Sequence, residues 1–335
     1  MERVFPGVVV ILTMVFREEE YEAYLDQRKV DPETKEAYKR AVLKAMEYFE
    51  VHGLVFEEAG VSDFEAYVNH LMDAGENSEE NILGVARYVY LRDMKEVWIY
   101  FAAILGGREI LPSIEDRLEK IAGKDVAEEI FKVVKAPPLG SMPEKYCDAT
   151  SNLMKEFREK LSPEVYKRVL AGNHHHVPVE WFEKHKEKLV ELDGDIDAWL
   201  KWMHGTAVAD LELHLREDKV WFEQVITQGI VDYVKQNQEL LAGVRKGDWI
   251  YNTKFPYAPQ DYLDAEDPLM KRYYMCHCPL AREAVLSGEP DIPMDWCYCS
   301  AGYGKLRYDV AFEEETEAEV LESVFSGSEK CRFRI

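Results

Sequence analysis

The chain has 335 residues, 47% hydrophobic and 31% charged, which suits two or three folded domains and excludes an intrinsically disordered chain. Its net charge of −23 and pI near 4.9 argue against non-specific nucleic-acid binding and against an anionic membrane surface as partner. No basic n-region or small-residue cleavage site is evident near the N-terminus, so a reducing, cytoplasmic setting is expected, in which cysteines serve as metal ligands or redox groups rather than disulfides.

Residues 4–16 are apolar but too few to span a bilayer as a helix. They are expected to form a buried element, or to precede a true start at Met14. From residue 17 the pattern is helical. Asp31-Pro32 predicts an N-cap followed by proline at the first helical position. Ala37, Tyr38, Ala41, Val42, Ala45, Met46 and Phe49 then share one face. Ser62 and Glu65 predict a capping box. Ser78 opens another helix, and a further apolar helix follows Asp93 and ends at Gly106-Gly107. Residues 112–136 predict two short helices broken at Gly123.

This helix spacing resembles the small core-binding domain of tyrosine recombinases, which implies a compact helical module. The recombinase Arg/His/Tyr set has no counterpart later in the chain, and the module is rich in Glu and Asp. A scaffold or protein-interaction role is therefore expected rather than a DNA clamp. Residues 137–143 read as a linker, rich in Pro and Gly.

Beyond the linker, Ser162-Pro163 and Asp195 open helices, and residues 221–241 read as a long helical stretch. Residues 249–251 are aromatic and β-branched, as in a strand. Residues 305–312 predict a strand, 313–323 a helix and 331–335 a final strand. The fold class expected is α+β overall: an all-helical module over residues 17–136, then a mixed α+β domain over 144–335.

Five of the six cysteines lie near the C-terminus. Cys276 and Cys278 form one Cys-x-Cys pair, Cys297 and Cys299 another. In extended backbone, residues i and i+2 face the same side. Each pair could then offer two thiolates to one ion and close a tetrahedral four-thiolate zinc site. Cys331 is a fifth candidate ligand, on a strand whose Phe333 and Ile335 share its face and are expected to be buried. The same thiols could instead hold an iron–sulfur cluster, although the spacing matches no ferredoxin pattern.

His277 lies between two cysteines and is a candidate ligand or acid–base group, while Cys331 or Cys299 could act as a nucleophile. His277 and Cys331 are thus the catalytic candidates. Lys254, Arg272 and Arg282, with Tyr257 beside them, could line a pocket for a carboxylate or phosphate. Cys147 reads as a core residue. His174, His175 and His176 read as a polar loop, one member of which could complete a zinc site. Asp210 and His214 read as a surface pair, and residues 301–305 as a tight turn entering a strand. No nucleophile elbow, Walker loop or dinucleotide fingerprint is present.

Lys254-Phe255-Pro256-Tyr257, Cys276-His277-Cys278-Pro279, Cys297-Tyr298-Cys299-Ser300-Ala301-Gly302 and Cys331-Arg332-Phe333-Arg334-Ile335 resemble motifs of a bacterial and archaeal domain of unknown function, over residues 145–335. The closing pattern of Gly327, Cys331, Phe333 and Ile335 is similar to the end of the vinyl-reductase-like small-molecule-binding domain. It is also similar to that of the amino-thiazoline-carboxylate hydrolase-like proteins. The first resemblance implies an α+β ligand-binding fold with zinc-binding cysteines, the second hydrolysis of a small sulfur heterocycle.

The function expected is a cytoplasmic zinc-binding protein whose C-terminal domain takes a small molecule. A metal- or thiol-dependent hydrolase of a thiazoline-like substrate and an iron–sulfur or redox protein are the alternatives. Neither nucleic acid nor a membrane is expected as a partner.

Overall fold

The computed structural model describes residues 16–335, so Met14 and the apolar stretch from Val4 up to it lie outside the described residues. Two compact units emerge from the contacts. One runs to Ala102 and includes Pro138–Gly140; the other is Ala103–Pro137 with Ser141–Ile335.

The first unit is helical: α1 (Glu18–Gln27), α2 (Pro32–Val51), α3 (Val61–Asp73), α4 (Glu79–Leu91) and the start of α5 (Lys95–Leu105). Asp31 caps α2 as expected, its carboxylate accepting the Thr34 N–H at 3.0 Å with Pro32 at the first helical position. The apolar face predicted for α2 is buried, including Tyr38, Ala41, Val42, Ala45, Met46 and Phe49. It lies so close to α4 that a Cβ on Gly84 would sit 2.9 Å from Cα of Tyr38. The α3 cap differs from the expected Ser62/Glu65 box. Gly60 is the N-cap, and the Asp63 carboxylate accepts its N–H at 2.9 Å. Phe49 centres an aromatic core, 4.8 Å from Phe64 and 5.5 Å from Phe56 between ring centroids.

The second unit begins with α6 (Ile110–Ala122) and α7 (Lys124–Phe131), separated at Gly123 as the sequence suggested. Ile110, Ile114, Leu118 and Ile130 join one core with Leu153, Phe157 and Trp296. By contacts, residues 103–137 therefore group with the second unit, whereas the sequence division falls at 137–143. Among the described residues, Lys95–Ala122 is the one stretch long and apolar enough to cross a membrane, and half of its most apolar window is buried.

Next come α8 (Cys147–Lys160), α9 (Pro163–Leu170), α10 (Glu183–Glu191) and α11 (Ile196–Glu217). The long helix expected at 221–241 is not formed. A hairpin of β1 (Val220–Trp221) and β2 (Gln224–Val225) precedes the shorter α12 (Gln228–Lys235). The reason is local. Val220, Trp221 and Val225 are strand-favouring residue types, and Val220 pairs with Val225; Thr227 then caps α12 by accepting the Ile230 N–H at 3.3 Å.

The rest comprises β3 (Val244–Lys246), β4 (Trp249–Thr253), α13 (Pro259–Asp264), α14 (Pro268–Met275), α15 (Glu283–Ser287), α16 (Tyr298–Phe312), β5 (Glu319–Glu322) and β6 (Arg332–Arg334). Strands β3, β4, β6 and β5 form, in that order, an antiparallel sheet. Two expectations are corrected here. Residues 305–312 belong to a helix, and part of 313–323 is a strand. Gly302 and Gly304 suggested a turn, yet Gly302 serves close packing within α16. A Cβ there would come 2.5 Å from the carbonyl carbon of Ala171, just past α9. The final strand forms as expected, with Cys331, Phe333 and Ile335 buried. The α+β class holds.

Candidate functional site

The end of the sheet builds the site. Tyr251, Asn252 and Thr253 pair with Arg334, Phe333 and Arg332. One step beyond, the Lys254 N–H donates to the Cys331 carbonyl at 2.8 Å. Arg332 fastens this end by a two-pronged bond to Glu239, Nε to Oε2 and Nη2 to Oε1, both 2.7 Å.

The five C-terminal cysteines come from three segments. Cys276 caps the end of α14, and Cys278 follows two residues on. Cys297 closes a short 3₁₀ turn, Cys299 sits in the first turn of α16, and Cys331 precedes β6. They lie within reach of one another's charge: Cys276 with Cys278 and Cys331, Cys297 with those three, and Cys299 with Cys278. Burial pushes every one of these thiols above its ordinary range, so they are protonated at neutral pH. The Trp296 indole N–H donates to Cys278 Sγ at 3.2 Å, and Cys297 Sγ lies 3.0 Å from the Ser323 hydroxyl. Cys147 packs into the same core, its thiol raised by burial to about 11.

Five soft donors in one neighbourhood are chemistry that suits zinc. The expected means of chelation, however, was extended backbone at both pairs. Cys297 and Cys299 instead stand on helical backbone, where residues two apart project about 200° apart. Among the described residues, no group of three or more His, Cys, Asp or Glu side chains is placed to hold one ion.

Polar groups gather beside the thiols. The Lys254 ammonium donates to the Ser300 hydroxyl. Arg282 lies over the Tyr257 ring at 4.0 Å and the Tyr273 ring at 5.3 Å. Its Nε is 3.4 Å from Glu283, which also accepts the Tyr273 hydroxyl at 2.8 Å. The His277 ring meets Tyr257 edge-on at 5.4 Å. Burial, then the Lys254 charge, hold its imidazole neutral, well below the usual range. His175 packs against Tyr303 at 5.1 Å, and the same two causes lower it to about 4.

Lys254, Tyr257, His277, Cys278, Arg282 and Ser300 are all half-buried, and His175 keeps an exposed surface. Surrounding protein nonetheless governs the charge of the two histidines. The cluster is therefore partly open to solvent. A separate open groove of about 460 Å³ runs beside Leu111, Phe131 and Val134 and carries no thiol or histidine.

Of the sequence candidates, Lys254, Tyr257, His277, Arg282 and the five cysteines are thus brought together. Arg272 sits in the last turn of α14, outside the Tyr257–Arg282 stack. His174 is a structural residue, bonded to the Val169 carbonyl at 2.8 Å and the Ser113 hydroxyl at 3.1 Å. Asp210 and His214 stay a local pair on α11, with the Trp221 indole donating to Asp210 at 2.7 Å.

Sequence reading missed Glu223. Its carboxyl bonds Tyr257 and feels the charges of Arg282 and Lys254, yet burial dominates and raises its pKa. The signal available was a lone acid among the apolar residues of 220–226, which the helical assignment hid.

The arrangement brings positive charge, neutral thiols and several hydrogen-bonding groups into one partly buried cluster. Comparison with known proteins finds a match for residues 260–335 to the model of a family of unknown function (DUF6144). No curated protein and no solved structure matches the chain.

Proposed function

We propose that the second unit binds a small anionic molecule, a carboxylate or phosphate, at the partly exposed cluster that holds Lys254 and Arg282. The observation that carries this reading is the charge balance. Glu283 compensates Arg282, whereas Lys254 meets only the Ser300 hydroxyl among the described residues. Burial disfavours the charged form of Glu223, and both neighbouring histidines are neutral. Partly buried, uncompensated positive charge is costly, and a bound anion relieves it. The ring faces of Tyr257 and Tyr273 would form apolar walls. Titration calorimetry with phosphate and small carboxylates, on the natural chain and on Lys254→Met, tests the reading.

Zinc held by a subset of Cys276, Cys278, Cys297, Cys299 and Cys331 is a second reading. What supports it is the assembly of five thiols from three separate segments. Elemental analysis of protein purified without a histidine tag tests it: one zinc per chain would bear it out, and metal-free protein would remove it. Protonated thiols lend no support to a thiol-dependent hydrolase. A cytoplasmic setting is proposed on the six free cysteines.

A further inference from the structure

The open groove of about 460 Å³ beside α6 and α7 shares no residue with the thiol cluster. Leu111, Pro112 and Glu115 line it from α6, where residues three and four apart share a face. Glu128 and Phe131 line it from α7 at the same spacing, and Val134 follows just beyond that helix. Its apolar lining is continuous with the core: Leu111 is buried, and Phe131 and Val134 pack against the same cluster. The volume falls within the range of about 300–1,000 Å³ found for small organic ligands.

Glu115 gives this apolar groove a charge preference. Its side chain is half-buried and makes no ion pair among the described residues. Other acids packed around these helices are paired, Glu129 with Lys160 at 2.6 Å and Glu315 with Arg117 at 2.5 Å. At Glu115 burial, and then the charges of Asp116, Glu119 and Glu128, all act against the carboxylate, and no cation offsets them. Glu128 has only Lys124 at 3.5 Å, an exposed pair that is worth little. Lys132 also lines the groove but is exposed and pairs with neither acid among the described residues. An unpaired, half-buried carboxylate against an apolar surface is costly, and a cation seated beside it relieves the cost.

We propose that this groove binds an organic ammonium ion with an apolar body, the ammonium set against Glu115 and Glu128 and the body lying on Leu111, Phe131 and Val134. It is a second site, separate from the anion site at Lys254, and the two stand or fall independently.

The test is calorimetry on the whole chain with matched probes: phenethylamine against phenethyl alcohol, and hexylamine against hexanol. At neutral pH both amines are cations and both alcohols are neutral. At least one amine is expected to bind saturably at one site, about tenfold or more tighter than its alcohol. Glu115→Gln should weaken that amine about tenfold or more and change the alcohol by no more than about twofold. Because it removes an uncompensated charge, it should not lower the melting temperature. Ala136→Trp, at an exposed position of the lining, should fill the groove and weaken amine and alcohol alike. An alcohol that binds as tightly as its amine overturns the inference, as does amine binding indifferent to either substitution. No saturable binding of either amine up to about 10 mM overturns it too.

Discussion

Lys254 and Cys331 are joined through the main chain, the Lys254 N–H donating to the Cys331 carbonyl at 2.8 Å. This bond continues the β4–β6 ladder past its last side-chain pair. It couples Lys254 to the C-terminal strand, so the site depends on how firmly that strand is held.

Arg332 supplies much of that hold. Arg332→Met would leave the partly buried Glu239 carboxylate without its two-pronged partner. Chemical denaturation should show a loss of about 2 kcal/mol. A loss under about 0.5 kcal/mol would mean that the pair behaves as an ordinary surface bridge.

Two glycines of α16 should respond oppositely to alanine. At Gly302 the new Cβ meets the main chain of Ala171 and Gly172 at 2.5–2.8 Å, and main chain cannot rotate aside. A destabilisation of about 1–3 kcal/mol or more is expected. At Gly304 the nearest atom is a Phe333 ring carbon at 3.9 Å, an ordinary contact. There the gain in helix propensity should stabilise by up to about 1 kcal/mol. Paired thermal melts check both, and equal effects would refute the packing of α16 on the chain after α9.

Much of the fold was legible and part was not, for physical reasons. The α2 cap and face were readable because Asp31-Pro32 and the 3.6-residue repeat act locally. The last strand was readable because Cys331, Phe333 and Ile335 alternate with Arg332 and Arg334. Helix α16 was hidden by Gly302 and Gly304, since a glycine kept for close approach looks the same in sequence as one kept for a turn. The candidate cysteines, Lys254, Tyr257 and Arg282 could be named from residue type. Glu223 could not, because only the pairing of Val220 with Val225 brings its carboxyl to Tyr257.

Acid should weaken the second unit through His174. Burial lowers this imidazole to about 4 from an unfolded value near 6.5. The unfolded chain therefore takes up the proton first as pH falls. The stability this residue contributes is complete above pH 6.5 and is lost between 6.5 and 4, an effect of about 3 kcal/mol. His174→Gln should flatten the pH dependence of the denaturation midpoint across that window by a similar amount, and an unchanged slope would refute the assignment.

Cys297→Ser separates the two readings of the thiols. As a protonated thiol bonded to Ser323, Cys297 should tolerate the exchange at a cost of about 1 kcal/mol. As a ligand of a structural zinc site, its loss should release metal and unfold the domain. Melting temperature and zinc content, read on the same sample, decide between them.

The most direct test of the anion site is calorimetric titration of phosphate and propionate into the natural chain and into Lys254→Met. Saturable binding of at least one of them at a single site, weakened tenfold or more by the substitution while the melting profile stays intact, is the predicted result. Binding that is indifferent to Lys254, or no binding of either anion, would contradict the account.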